Sequence, residues 1–104
     1  MGLHDLIGYL DASPSPWHAV QSSRERLVAA GFQEVAATDS WTRVPPKGFV
    51  ARGGALVAWA HGAAASARSP LRIVGAHTDS PGLHVKPRPD TGAVGWKQLA
   101  VELY

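Results

Sequence analysis

Residues 71–81 read LRIVGAHTDSP, the sequence from which the predicted sheet is built outward. Its first six residues are apolar or small except for Arg72, and such a nearly continuous apolar run is typical of a β-strand buried on both faces of a sheet. His77 and Asp79 follow the run directly. The pattern therefore predicts a central strand over 71–76 with two polar side chains just beyond its carboxyl end.

Two helices are predicted upstream of this strand. The first is an amphipathic helix, because four large apolar residues recur at i, i+3, i+4 and i+7: Leu3, Leu6, Ile7 and Leu10. Ser15 is a favourable N-cap and Pro16 suits a first helical turn, so a second helix is expected from about 16 to 30. Its inward stripe is predicted to be Trp17, Val20, Leu27 and Val28.

The remaining apolar runs predict strands. Residues 49–52 and 55–60 flank Gly53 and Gly54, which favours an antiparallel hairpin with positive φ at both glycines. Residues 83–86 and 95–104 alternate between apolar and polar side chains, as half-exposed strands do. The expected fold class is α/β: one mixed β-sheet of about five strands, with two helices packed on one side. Residues 1–104 are expected to form one unit with no second domain.

Composition excludes several classes of function. The 104 residues are 45% hydrophobic and 17% charged, unlike disordered chains. Ten Lys and Arg against eight Asp and Glu give a net charge of only +2 without a dense cluster, so no nucleic-acid partner is expected. The chain has no cysteine, no secretory signal and no apolar run near the ~20 residues that span a bilayer. A cytoplasmic location without a membrane partner is expected.

His77 and Asp79 are the candidate site residues. Side chains two apart in extended backbone point to the same side, so a carboxylate could orient an imidazole whose other nitrogen binds a metal. On spacing alone, a hydrogen-bonded loop pair is the more common arrangement. The other histidines are predicted to be solvated and not to be ligands: His4, His18, His61 and His84. The four tryptophans are predicted to be core or interface anchors.

Two segments together resemble a known family. GAHTDSP at 75–81, followed by Leu83 and by VKP at 85–87, closely resembles the first metal-site motif of the aspartyl aminopeptidase family of co-catalytic zinc peptidases. SPSPWHAV at 13–20 resembles the N-terminal motif of that family, and residues 27–32 and 101–104 follow the same order. The resemblance covers nearly the whole chain in register.

The resemblance implies both a fold and a function. The chain is expected to be the N-terminal part of a three-layer zinc-peptidase catalytic domain, with His77 as a ligand of one of two zinc ions. Asp79 is implied as the carboxylate that holds His77 and tunes the site. Family substrates are peptides with an acidic N-terminal residue, and the full-length enzyme is expected to be a homo-oligomer.

The same resemblance implies that this chain is an inactive fragment. The remaining zinc ligands and the general-base glutamate of the family lie beyond the position of Tyr104. An alternative interpretation is a non-catalytic truncated module that associates with a full-length relative through the exposed edge of its last strand, because an unpaired sheet edge recruits other chains.

Overall fold

The structure, a computed structural model, describes residues 2–103. Its elements are α1 (Leu3–Asp11), α2 (Pro16–Ala29), β1 (Gln33–Glu34), β2 (Lys47–Arg52), β3 (Ala55–Ala60), β4 (Leu83–Ala93) and β5 (Trp96–Leu103). The strands form two sheets, one ordered β1-β2-β3 and one made of β4 and β5. The first sheet is mixed, since β1 runs parallel and β3 antiparallel to β2. The α/β class is thus confirmed, but the prediction that all strands share one sheet is wrong.

Local signals place both helices where they were expected. The Ser15 side chain accepts a hydrogen bond from the His18 N–H at 3.4 Å, and Pro16 occupies the first helical turn. Gly31 follows the helix with φ +80°, the left-handed conformation that glycine adopts without a steric penalty. The Ser15 cap and the Gly31 stop therefore delimit α2 as predicted.

The apolar faces of the helices are only partly covered. In α2, Ala19 and Val20 are buried, while Trp17 is 65% exposed. The four apolar residues of α1 are all exposed by 44% or more. Polar contacts join the two helices instead: Arg26 pairs with Asp5 at 2.8 Å and lies over the Tyr9 ring at 5.2 Å.

The core lies between α2 and the first sheet. Among the described residues, the buried apolar side chains are Ala19, Val20, Val35 and Phe49. Phe49, on the central strand β2, is fully buried, and its carbonyl accepts a hydrogen bond from Val35 N–H at 2.8 Å. This small core holds β1 and the β2–β3 hairpin against one face of α2.

The β2–β3 hairpin turns at its two glycines. Arg52 pairs with Ala55, and Gly53 between them has φ +56°, as predicted. The prediction of a positive φ at Gly54 is wrong. Glycine is required there because an added Cβ would lie 2.8 Å from the Cβ of Pro16, closer than carbon atoms pack. The hairpin turn therefore lies directly against the first turn of α2.

The predicted buried strand at 71–76 is not formed. Residues 70–77 have no regular secondary structure, and Leu71, Ile73 and Val74 are 85%, 86% and 96% exposed. A strand buried on both faces needs hydrogen-bonded neighbours on both edges and packed layers on both faces. Within residues 2–103 no strand pairs with this segment. The apolar composition of the segment is suited to a buried strand, but residues 2–103 provide no neighbouring strand for it.

Residues 83–103 form a second sheet, an antiparallel hairpin longer than predicted. Val94 and Gly95, at φ +52° and +81°, make the turn, and the register shifts between Val85 and Asp90. Pro87 and Pro89 lie in that interval and lack the N–H that a regular ladder requires, which explains the irregularity. Neither α1 nor α2 has the length and hydropathy that crossing a membrane requires.

Candidate metal site

His77 lies in an exposed loop between the irregular apolar segment and β4. Its Nδ1 is hydrogen-bonded to the backbone carbonyl of Asp79. A carbonyl oxygen can only accept, so Nδ1 carries a hydrogen. In the neutral imidazole this leaves the lone pair on Nε2, which is the tautomer that binds a metal ion through Nε2.

Asp79 contacts His77 through its main chain. The contact was expected to come from the Asp79 carboxylate, but the acceptor in the structure is the Asp79 carbonyl. Carboxylate and carbonyl oxygens both serve as partners that fix the tautomer and orientation of a ligand histidine. The role of the Asp79 carboxylate itself stays a prediction.

Thr78 joins this loop to the rest of the fold. Its Oγ1 donates a hydrogen bond of 2.6 Å to the carbonyl of Gly54, 24 residues away. Since Gly54 also lies against Pro16, three segments meet at this point: the 13–20 motif, the β2–β3 turn and the 75–81 motif. This contact was not predicted from the sequence. The local signals for it were a hydroxyl next to His77 and a glycine in the hairpin turn, and neither signal identifies the other as its partner.

The other histidines take up separate positions. His18 Nδ1 lies 2.7 Å from Ser15 Oγ at the start of α2, and His61 Nδ1 lies 3.2 Å from the Gly62 carbonyl. His84 faces Glu102 across the β4–β5 hairpin, and His4 is exposed on α1. In the part of the chain that the structure describes, no three His, Asp or Glu side chains gather as a metal-binding group.

One tryptophan acts as an anchor. The part-buried Trp59 donates its indole N–H to the Pro45 carbonyl at 2.9 Å and lies 5.6 Å from the Trp41 ring. The other three tryptophans are exposed: Trp41 by 47%, Trp17 by 65% and Trp96 by 74%. The contacts of Trp59 therefore fit the anchor prediction, and the exposure of Trp17, Trp41 and Trp96 does not.

The donor set fits zinc only in part. His77 Nε2 is a suitable ligand atom, but catalytic zinc is held by about three protein ligands and keeps an open position for water. Among residues 2–103, no group of three His, Asp or Glu side chains that could hold a metal ion forms around His77. No step of a zinc-dependent reaction can therefore be assigned to the described residues by themselves.

Comparison with known proteins identifies relatives over nearly the whole chain. The family model of the aminopeptidase I zinc metalloproteases, M18, matches residues 9–104. A probable M18 family aminopeptidase 2 of Streptomyces coelicolor is 59% identical over 100 residues, which are 96% of this chain and 23% of the relative. The protein of the same description from Mycobacterium leprae is 44% identical over 96% of this chain and 24% of the relative.

A solved structure agrees with these relatives. One chain of the cryo-EM structure of the Ape4 and Nbr1 complex superposes with a TM-score of 0.79 at 34% identity, over 96% of this chain and 20% of that chain. The present chain thus spans about a quarter or less of the proteins it matches, consistent with the predicted N-terminal portion. Because the family model covers residues 9–104, the chain belongs to the M18 family of zinc metallo-aminopeptidases.

Proposed function

We propose that this chain supplies the first metal-ligand loop of a zinc-dependent aminopeptidase that removes N-terminal residues from peptides. Family membership over residues 9–104 supports the activity, and the Nδ1–H tautomer of His77 supports its role as ligand. His77 binds one of two zinc ions, and Asp79 holds the imidazole in place. Bound zinc supplies a Lewis acid and lowers the pKa of a water nucleophile.

The proposed substrates are peptides that begin with Asp or Glu. Support comes from the resemblance to the aspartyl aminopeptidases, carried by the motifs at 13–20 and 75–81. The enzyme that contains these segments is proposed to be a cytoplasmic homo-oligomer. These statements concern the whole enzyme, of which the present chain matches about a quarter.

The 104 residues alone are proposed to be inactive. One imidazole binds zinc weakly, because the ion requires further protein ligands. Incubating the purified chain with zinc and peptides that begin with Asp or Glu is expected to release no amino acid above the buffer control. Zinc-dependent release by the isolated chain would contradict the incomplete donor set.

The zinc role of His77 can be tested in an intact enzyme. In a chimera, residues 9–104 replace the matching segment of the Streptomyces coelicolor relative, to which this chain is 59% identical over 100 residues. The chimera is expected to bind zinc and cleave peptides. His77→Ala should lower its zinc content and reduce kcat/KM roughly a thousand-fold, since the metal contributes several kcal/mol to transition-state stabilisation.

A matched substitution separates ligand loss from general damage to the chimera. His61→Ala removes an exposed imidazole whose Nδ1 lies next to the Gly62 carbonyl, outside the candidate site. This variant is expected to keep full zinc content and turnover. Undiminished zinc content and turnover in the His77→Ala chimera would overturn the assignment of His77.

A second candidate function is a non-catalytic module that associates with a full-length relative. The open edges of the β4–β5 sheet and the exposed apolar residues at 71–76 favour it. In this case the chain should co-elute with the Streptomyces coelicolor relative on size-exclusion chromatography after co-expression. Separate elution would remove this candidate.

A further inference from the structure

Thr78 provides the loop of His77 with its contact to the folded sheet. Residues 75–82 have no regular secondary structure and are exposed. Within residues 2–103, the Thr78 hydroxyl makes the one hydrogen bond that links residues 70–82 to another element, at 2.6 Å to the Gly54 carbonyl. Apart from its chain connection to β4, this loop is therefore joined to the folded sheet by a single side-chain hydrogen bond.

The acceptor is held from two sides. Gly54 belongs to the turn of a hairpin whose strands pair continuously from Lys47 with Ala60 to Arg52 with Ala55. Its α-carbon lies so close to Pro16 that an added Cβ would be only 2.8 Å from the Pro16 Cβ. Both the hairpin and the first turn of α2 therefore restrain the position of the Gly54 carbonyl.

The imidazole of His77 is held by a hydrogen bond within its own loop. Its Nδ1 donates to the carbonyl of Asp79, so the ring is oriented by the backbone immediately after Thr78. Fixing Thr78 to Gly54 limits how residues 77 and 79 can move relative to each other. Preserving the Nδ1–H tautomer, and the direction of Nε2, requires that this short loop keep its shape.

We propose that Thr78 is a positioning residue for His77. Its hydroxyl holds the loop against the hairpin turn, and the held backbone presents the Asp79 carbonyl to Nδ1, so that Nε2 takes no part in this hydrogen bond. The inference rests on the proposed function only in taking Nε2 as the metal-binding atom. The M18 match and the motif order do not require this contact, which follows from the Thr78–Gly54 and Pro16–Gly54 geometry.

The test uses the metal-free chain labelled with ¹⁵N, at a concentration at which sedimentation shows it to be monomeric, and three variants. Thr78→Val removes the hydroxyl and keeps the shape, Thr78→Ser keeps the hydroxyl, and Thr91→Val removes an exposed hydroxyl from β4 as a matched control. NMR relaxation gives order parameters for residues 76–80, and the ¹⁵N shifts of the His77 ring give its tautomer.

We expect order parameters of about 0.8 at residues 76–80 in wild type, Thr78→Ser and Thr91→Val. In these three proteins the His77 ring should be mainly in the Nδ1–H form. In Thr78→Val the order parameters of residues 76–80 should drop below about 0.6, and the His77 ring should lose its preference for the Nδ1–H form. The Ala55 amide signal should shift, because the Gly54 carbonyl has lost its hydrogen-bond donor. A thermal midpoint for Thr78→Val equal to that of Thr91→Val would show that the effect is local.

Three results would overturn the proposal. One is an unchanged His77 tautomer in Thr78→Val, and another is a wild-type loop as mobile as residues 62–69. The third is loss of the Nδ1–H form in Thr78→Ser, which keeps the hydroxyl and decides the question even if Thr78→Val does not fold. All of these measurements are made without metal, so failure of the zinc assignment in the chimera would leave them unchanged.

Discussion

The ion pair between Asp5 and Arg26 shows how single residues join the two helices. Two guanidinium nitrogens of Arg26 reach the Asp5 carboxylate at 2.8 and 3.0 Å, and one also donates to the Asp5 carbonyl at 3.1 Å. The hydrogen bond from Arg26 lowers the pKa of the Asp5 carboxyl below its ordinary value. The apolar residues of α1 stay exposed, so this contact matters for how α1 is held.

Stability should depend on pH through Asp5. A carboxyl whose pKa is lower in the folded than in the unfolded chain stabilises the fold above the unfolded pKa, and this stability is lost as the pH falls through the folded pKa. Urea melts should therefore show wild type to be more stable than Asp5→Asn at about pH 6, with the difference shrinking as the pH is lowered below about 3.9, the ordinary pKa of an aspartate. A difference that persists unchanged at the acid pH would contradict the ion-pair explanation.

Asp11→Asn is the matched control for this pH series. It removes a carboxylate from the same helix without touching Arg26, so it is expected to show no such acid-dependent convergence with wild type. Raising the ionic strength should reduce the Asp5 effect as well, because exposed ion pairs are screened by salt.

At the scale of elements, the contact between the β2–β3 turn and α2 organises the candidate site. Gly54 lies between Pro16 on one side and Thr78 on the other, so one glycine positions a helix start, a hairpin turn and the loop of His77. The sequence motifs at 13–20 and 75–81 are far apart in the chain but meet through this residue.

Gly54→Ala should push these elements apart. The new methyl group would lie 2.8 Å from the Pro16 Cβ, which belongs to a rigid ring and cannot rotate away. Overpacking of this kind costs about 1–3 kcal/mol, measured as the free energy of unfolding in urea. Gly62→Ala, where the added methyl meets nothing within 4 Å, is the matched control and should change stability far less. Equal effects of the two substitutions would contradict the close contact.

Across the described residues, the main feature is the large number of solvent-exposed apolar side chains. Leu71, Ile73 and Val74 are 85% exposed or more, and the β4–β5 sheet has open edges. Four buried apolar side chains make a small core for the described residues. Exposed β-prone segments of this kind associate with other chains.

The isolated chain is therefore expected to self-associate with rising concentration. Val74→Lys should reduce association, because a charge in an exposed apolar strand-forming segment opposes pairing. Val94→Lys, on the 97% exposed turn of the β4–β5 hairpin, is the matched control and should behave as wild type. Sedimentation analysis over a range of concentrations measures the effect. A wild-type chain that sediments as a monomer at every concentration would contradict the expectation.

Much of the local structure could be predicted because short-range signals control it. Ser15 and Pro16 start α2, Gly31 follows its end, and Gly53 makes a turn, since each depends on the conformation of a few neighbouring residues. His77 could be singled out for the same reason, as a histidine just after an apolar run within a recognisable motif. Its tautomer, and its contact with the Asp79 carbonyl in place of the carboxylate, could not be read from spacing.

The helix limits, the β2–β3 hairpin turn and membership of a zinc aminopeptidase family could be inferred from the sequence, because backbone preferences and motif order are properties of the chain read in one dimension. That the apolar run at 71–76 lies unpaired, and that Thr78 reaches Gly54, became visible only in the folded structure. Burial and long-range hydrogen bonds depend on which distant groups are present to pack and pair, and composition within a segment carries no information about those partners.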